Sequence, residues 1–128
     1  MYAAQHPTVH VAIRMEVQIF GTKKSVDTRK AQRFFQERRV KVHFCDLAER
    51  AASIGELKRF AQKYGVATLL DRESRRFADL GLRTALYGEE RWLTILADEP
   101  LLLQQPLVRL QNKLTIGLAE TTWKEWLA

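Results

Sequence analysis

Apolar residues alternate along Val11, Ile13, Met15, Val17 and Ile19, the period of a half-buried β-strand, and the run reaches Phe20 before Gly21 stops it. The period then changes. Ala31, Phe34 and Phe35 recur at helical spacing behind Ser25 and Asp27. Either of these is a competent N-cap, because a short side-chain oxygen accepts from amides that the first turn leaves without partners. Val40 to Cys45 is β-branched and aromatic, and reads as a second, buried strand closed by Asp46. Ser53-Ile54-Gly55-Glu56 has the form of a capping box, opening a helix over Leu57 to Tyr64 with Gly65 as its stop. Val66 to Leu70 and Arg75 to Leu80 read as short helical turns, the second broken by Gly81. Trp92, Leu93, Ile95 and Leu96 mark a helix from Glu89 to Leu96 that must end before Pro100.

The final third returns to strand pattern. Pro106 to Leu110 and Lys113 to Leu118 are separated by Gln111-Asn112, which predicts a tight hairpin. Glu120 to Leu127 closes the chain as a helix with Trp123, Trp126 and Leu127 on one face, as core anchors. Residues 1–10, with Pro7 and no periodic apolar positions, read as a loose leader, which leaves residues 11–128 as a single domain. A βαβ start demands a parallel pair with a right-handed crossover, and the hairpin adds antiparallel strands. The prediction is an α/β protein: a mixed four-stranded sheet flanked by helices, with a helical insertion between the βαβ and ββα halves.

Composition narrows the chemistry. At 128 residues the chain can bury a core without disulfides or metals, and 46% hydrophobic with 28% charged residues is ordinary for a globular domain. No apolar run approaches a membrane span, and the first ten residues lack a secretory pattern, so a cytoplasmic location is expected. One cysteine, Cys45, excludes an internal disulfide, a dithiol relay and a zinc knuckle. It reads as a small core hydrophobe; the alternative is a displaced nucleophile, with His43 on the same strand face. The net charge of +6 makes acidic partners plausible. Basic residues such as Arg29, Lys30, Arg33, Arg38 and Arg39 are scattered among acids without a nucleic-acid-binding signature, which favours a solvated basic face over a nucleic-acid site.

Three segments carry a family resemblance. The corner Phe20-Gly21-Thr22-Lys23-Lys24-Ser25-Val26-Asp27-Thr28-Arg29-Lys30-Ala31, the stretch from Glu99-Pro100 to Pro106-Leu107-Val108, and Leu114-Thr115-Ile116-Gly117-Leu118 followed by Trp123-Lys124 resemble the arsenate reductase-like family. Together with Arg76 to Leu82 they cover about residues 13–127. The resemblance implies a thioredoxin-like fold, in which the proline at Pro106 is generally cis. It also implies a reactive cysteine where this chain has Ser25, and an oxyanion-binding arginine where it has Gln105. Arg72 either substitutes for another family arginine or points to solvent. A serine hydroxyl is far less acidic than a thiol, and it cannot form a mixed disulfide with glutathione.

The expectation is therefore a non-catalytic member of the family that acts through protein binding, with regulation as its candidate role. The regulator branch implies RNA polymerase as partner, but that branch carries a CxxC switch where this chain has Lys23-Lys24-Ser25-Val26. An anion or partner site is expected from Lys23, Lys24 and Ser25 with Gln105 and Pro106, since a helix N-terminus favours negative charge. The bland alternative is that Ser25 only caps the helix. No metal or resident cofactor is expected. The competing reading is a divergent glutathione-linked oxidoreductase or transferase in which Ser25 orients a bound thiol.

Overall fold

β1 (Glu16–Gly21) runs through the middle of the sheet because Val17, Ile19 and Phe20 are apolar toward both of its faces. The computed structural model describes residues 15–128; the expected leader and the first positions of the expected first strand lie outside the described residues. After β1 come α1 (Val26–Glu37), β2 (Lys41–Asp46), α2 (Ile54–Tyr64), α3 (Val66–Leu69) and α4 (Arg75–Asp79). A 3-10 turn at Leu82–Thr84, α5 (Glu89–Asp98) and a second 3-10 turn at Pro100–Leu102 complete the insertion. The chain ends with β3 (Leu107–Leu110), β4 (Lys113–Ile116) and α6 (Glu120–Trp126). The strand order is β2-β1-β3-β4, with β1 parallel to β2 and antiparallel to β3. This is the mixed four-stranded α/β arrangement that the sequence predicts.

The sheet separates two cores. On one face Val17, Ile19, Val108 and Leu110 pack with Ala31, Phe34 and Phe35 of α1 and with Trp123 of α6. Trp123 is fully buried, and its indole N–H donates to Thr115 Oγ1 at 2.8 Å, so its polar edge is satisfied inside the core. Trp126 and Leu127 lie half-buried at the margin of the same cluster. On the other face Phe20, Leu107 and Leu114 meet Leu57 and Phe60 of α2, and the insertion's Leu69, Phe77, Trp92 and Leu96 extend this core.

β2 departs from expectation. None of its residues is fully buried, because it is an edge strand with a neighbour on one side only. Its apolar side chains, Val42, Phe44 and Cys45, pack against the two cores without being enclosed by them. The hairpin is as tight as predicted, with Leu110 paired to Lys113, but Gln111 takes the positive φ of 58° and not the asparagine. The Arg109 side chain fixes that turn by donating from Nε to the Gln111 carbonyl at 2.7 Å. β4 stops at Ile116, two positions short of the predicted Leu118, where Gly117 turns away with φ 79°.

Backbone hydrogen bonds close the insertion onto the sheet. Leu70 bridges Leu103, the Gln104 amide donates to the Leu69 carbonyl at 2.7 Å, and the Asp71 amide donates to the Leu102 carbonyl at 2.8 Å. Arg76 of α4 grips Glu99 at the end of α5 with two parallel bonds of 2.7 and 3.0 Å. No helix of the described residues is long and apolar enough to cross a membrane.

Candidate functional site

The corner between β1 and α1 is built by close approach. Gly21 is buried against Thr28, and a Cβ at position 21 would lie only 2.3 Å from Thr28 Oγ1. The chain then turns through Thr22 to Ser25, closed by the Ser25 amide donating to the Thr22 carbonyl at 3.2 Å. Ser25 is extended (φ −74°, ψ 120°), and its Oγ accepts from the Thr28 amide at 3.1 Å. It is therefore the N-cap. Asp27 lies in the first turn instead, where its charge complements the helix dipole. Arg29 reaches back and donates to the Lys23 carbonyl, fixing the loop at 2.6 Å.

The second wall comes from far along the sequence. The Gln105–Pro106 bond is cis, and Gln105 faces the corner. Its Oε1 accepts from the Thr22 amide at 2.7 Å, from Thr22 Oγ1 at 3.0 Å and from Thr28 Oγ1 at 3.5 Å. A backbone N–H only donates and the side-chain NH2 of glutamine cannot accept, so this contact sets the orientation of the amide. Gln105 thus acts as an acceptor toward the corner, a role that an arginine, which has no acceptor, cannot fill.

Thr22, Lys24, Ser25, Asp27, Asp71 and Gln105 line a shallow cleft of about 490 Å³ here. Of the predicted residues, Lys24, Ser25 and Gln105 come together. Lys23 does not line the cleft, although its carbonyl braces the loop, and the buried Pro106 lies behind it. Arg72 is not in the lining either; its guanidinium sits 5.7 Å from the Phe77 ring centroid. Sequence reasoning missed Thr22, Thr28 and Asp71. Thr28 was accessible through its spacing with Ala31 and Phe35 on the buried helix stripe, whereas Asp71 reaches the cleft only through the Leu70–Leu103 bridge. The charge balance is also new: one lysine shares the lining with two aspartates.

Cys45 lies elsewhere, half-buried on β2. Burial pushes its thiol pKa up, and the nearby Glu56 adds to the shift while Arg50 opposes it. A nucleophilic cysteine needs the opposite. His43, on the same strand, has its Nε2 3.2 Å from a Glu16 carboxylate oxygen. Among the described residues, no group of three or more His, Cys, Asp and Glu side chains is arranged to hold a metal ion.

A family model described as the ArsC family matches residues 20–126, a stretch that contains both walls of the cleft. The chain belongs to the ArsC family. The uncharacterized protein YusI of Bacillus subtilis is 26% identical over 115 residues, covering 87% of this chain and 98% of its own length. The global transcriptional regulator Spx 2 of Bacillus cereus is 21% identical over 111 residues, covering 85% of each chain. Among solved structures, an arsenate reductase from Vibrio cholerae matches with a TM-score of 0.75 and 20% identity, over 87% of this chain and 97% of its own. At that identity the likeness speaks for the fold, which this ArsC-family chain shares through its sheet order and flanking helices.

Proposed function

We propose that this ArsC-family chain is non-catalytic and acts by binding a protein partner, in a regulatory role. The observation that carries the reading is Ser25: its oxygen already serves as acceptor for the Thr28 amide at the helix start where the family resemblance implies a thiolate. A hydroxyl needs an adjacent base to become a nucleophile; Asp27 and Asp71 share the lining with Ser25, but neither is hydrogen-bonded to its Oγ, whose bond is to the Thr28 amide. Binding of an oxyanion is poorly supported as well. Gln105 is neutral with its oxygen turned inward, and Asp27 and Asp71 oppose Lys24. What supports protein binding is the excess positive charge of +6 and the similarity to a protein described as a global transcriptional regulator. The regulator branch makes RNA polymerase the first partner to test. Because Lys23-Lys24-Ser25-Val26 contains no cysteine, regulation at this corner is independent of disulfide formation.

The test has two arms. Arsenate reduction with glutathione as reductant is expected to show no turnover above background, and a nuclease-treated pull-down from host lysate is expected to recover one protein in stoichiometric amount. Turnover that disappears in Ser25→Ala would defeat the proposal. The cleft beside Ser25 is the observation favouring a glutathione-linked enzyme instead. Saturable glutathione binding lost in Ser25→Ala would establish that second reading.

A further inference from the structure

A central strand covered on both faces is normally apolar throughout. β1 breaks that rule at its start, where Glu16 and Gln18 alternate with the buried Val17 and Ile19. The register places His43 on one side of Gln18 and Arg109 on the other. Paired positions share a face, so His43, Gln18 and Arg109 form a polar row across β2, β1 and β3. The adjoining row of Cys45, Phe20 and Leu107 packs in the core beneath α2, and the polar row lies beyond that cover.

The polar row floors an open cavity of about 700 Å³, with Arg50 on its wall. At Arg109 it adjoins a second cavity of about 340 Å³, whose wall carries Arg59 and Lys63 of α2. Among the described residues, no carboxylate lies within ion-pair distance of Arg50, Arg59, Lys63 or Arg109. The one carboxylate in the floor, Glu16, is already held by Lys41 at 3.4 Å and His43 at 3.2 Å. Glu56, near Cys45, is committed to its capping bond with the Ser53 amide. Among the described residues, the groove therefore presents cations without an ion-pair partner above a polar floor.

We propose that this sheet face, open among the described residues, is a docking groove, and that its occupant is an acidic, extended segment of the protein partner; the proposal rests on the protein-binding reading above. Guanidinium groups pair with carboxylates through two parallel bonds, which suits Arg50, Arg59 and Arg109 to aspartate and glutamate side chains. The amides of Gln18, Gln62, Gln111 and Asn112 both donate and accept, as a peptide backbone requires. His43 and Phe44 are the aromatic residues lining these two cavities, and as neighbours on β2 they point to opposite faces, so no row of rings is offered to successive bases and a nucleic-acid strand is a poorer occupant. Crossing from β2 to β4 spans about 14 Å at the usual strand spacing, the reach of about four or five extended residues.

The test is an NMR titration of the isotopically labelled full chain with a peptide of about eight residues rich in Asp and Glu. Shifts should centre on Gln18, His43 and Arg109, and affinity should fall as salt rises. Arg50→Gln, at an exposed position, and Arg109→Gln, at a half-buried one that also braces the hairpin turn, should each weaken binding about tenfold while the spectrum stays dispersed. Shifts centred on Lys23 to Ser25 or on α1, or unchanged affinity in both variants, would overturn the groove. So would tighter binding of a thymidine oligonucleotide of equal length. The failure of the underlying reading looks different. A partner captured equally by wild type and by the Arg50→Gln/Arg109→Gln double variant removes the groove and keeps protein binding; a wild-type protein that captures no partner removes both.

Discussion

Gly21 and Thr28 meet where β1 turns into α1, and their approach leaves no room for a methyl group. A Cβ on residue 21 would fall 2.3 Å from Thr28 Oγ1 and 2.7 Å from its Cγ2, and both residues are buried. Gly21→Ala should therefore destabilise the fold by about 1–3 kcal/mol, the range for overpacking a close-packed site. Because the clash is with one side chain, adding Thr28→Ala should recover part of the loss. Urea unfolding of the two single variants and the double variant measures that coupling; strictly additive losses would contradict the account. Cys45 gives a second prediction at this scale. Its thiol lies above the ordinary 9.0, from burial first and Glu56 second. The rate of alkylation should rise with pH to a midpoint above 9.0, and Glu56→Gln should lower that midpoint. A midpoint below 9.0 in the native protein would reopen Cys45 as a nucleophile.

Helix starts are the best-determined elements of the chain, because their signals are local. Ser53 Oγ accepts from the Glu56 amide at 3.1 Å while Glu56 Oε1 accepts from the Ser53 amide at 3.1 Å, as the sequence of that box predicts. Ser25 and Ser74 cap α1 and α4 with the serine half of that exchange alone, accepting from the Thr28 and Phe77 amides. Ser53→Ala should cost about 1 kcal/mol, and Ser25→Ala about the same, in chemical denaturation. A negligible effect of Ser25→Ala would mean that its oxygen is free for other work, contrary to the cap. Elements that depend on distant partners were less legible. The run from Val40 to Cys45 has the composition of a buried strand, but no local signal says that β2 takes the edge of the sheet. The cleft divides along the same line. Ser25 and Lys24 could be placed from the corner sequence, and Gln105 only through the family resemblance, because its contact with Thr22 spans 83 positions and exists only once β3 lies beside β1. Asp71 enters for a similar reason, through the pairing of Leu70 with Leu103.

For the molecule as a whole, the response to acid follows from two carboxylates held by cations. Glu99 lies below the ordinary 4.5, chiefly through its hydrogen bonds from Arg76, with partial burial opposing and the Arg76 charge adding. Glu16 is lowered first by its bond from His43 and then by Lys41. A carboxylate whose native pKa is depressed binds its proton more readily in the unfolded chain. It therefore contributes stability that is full above the unfolded value and is lost as pH falls through the native one. The Arg76–Glu99 pair matters more for shape, since it joins α4 to the end of α5 and so clasps the insertion shut. Both side chains are partly exposed, at 39% and 32%, so solvent screens the pair and its contribution is modest. Glu99→Gln keeps the size of the side chain and removes its charge. The variant should have a lower urea midpoint than wild type at neutral pH, and the two should converge as pH falls below 4.5, where wild type loses the same charge. High salt should narrow the neutral-pH gap, because the interaction is electrostatic and near the surface. A gap that persisted unchanged at low pH would assign the loss to packing around Glu99, and the insertion would then be held by its apolar core and the Leu70–Leu103 bridge alone.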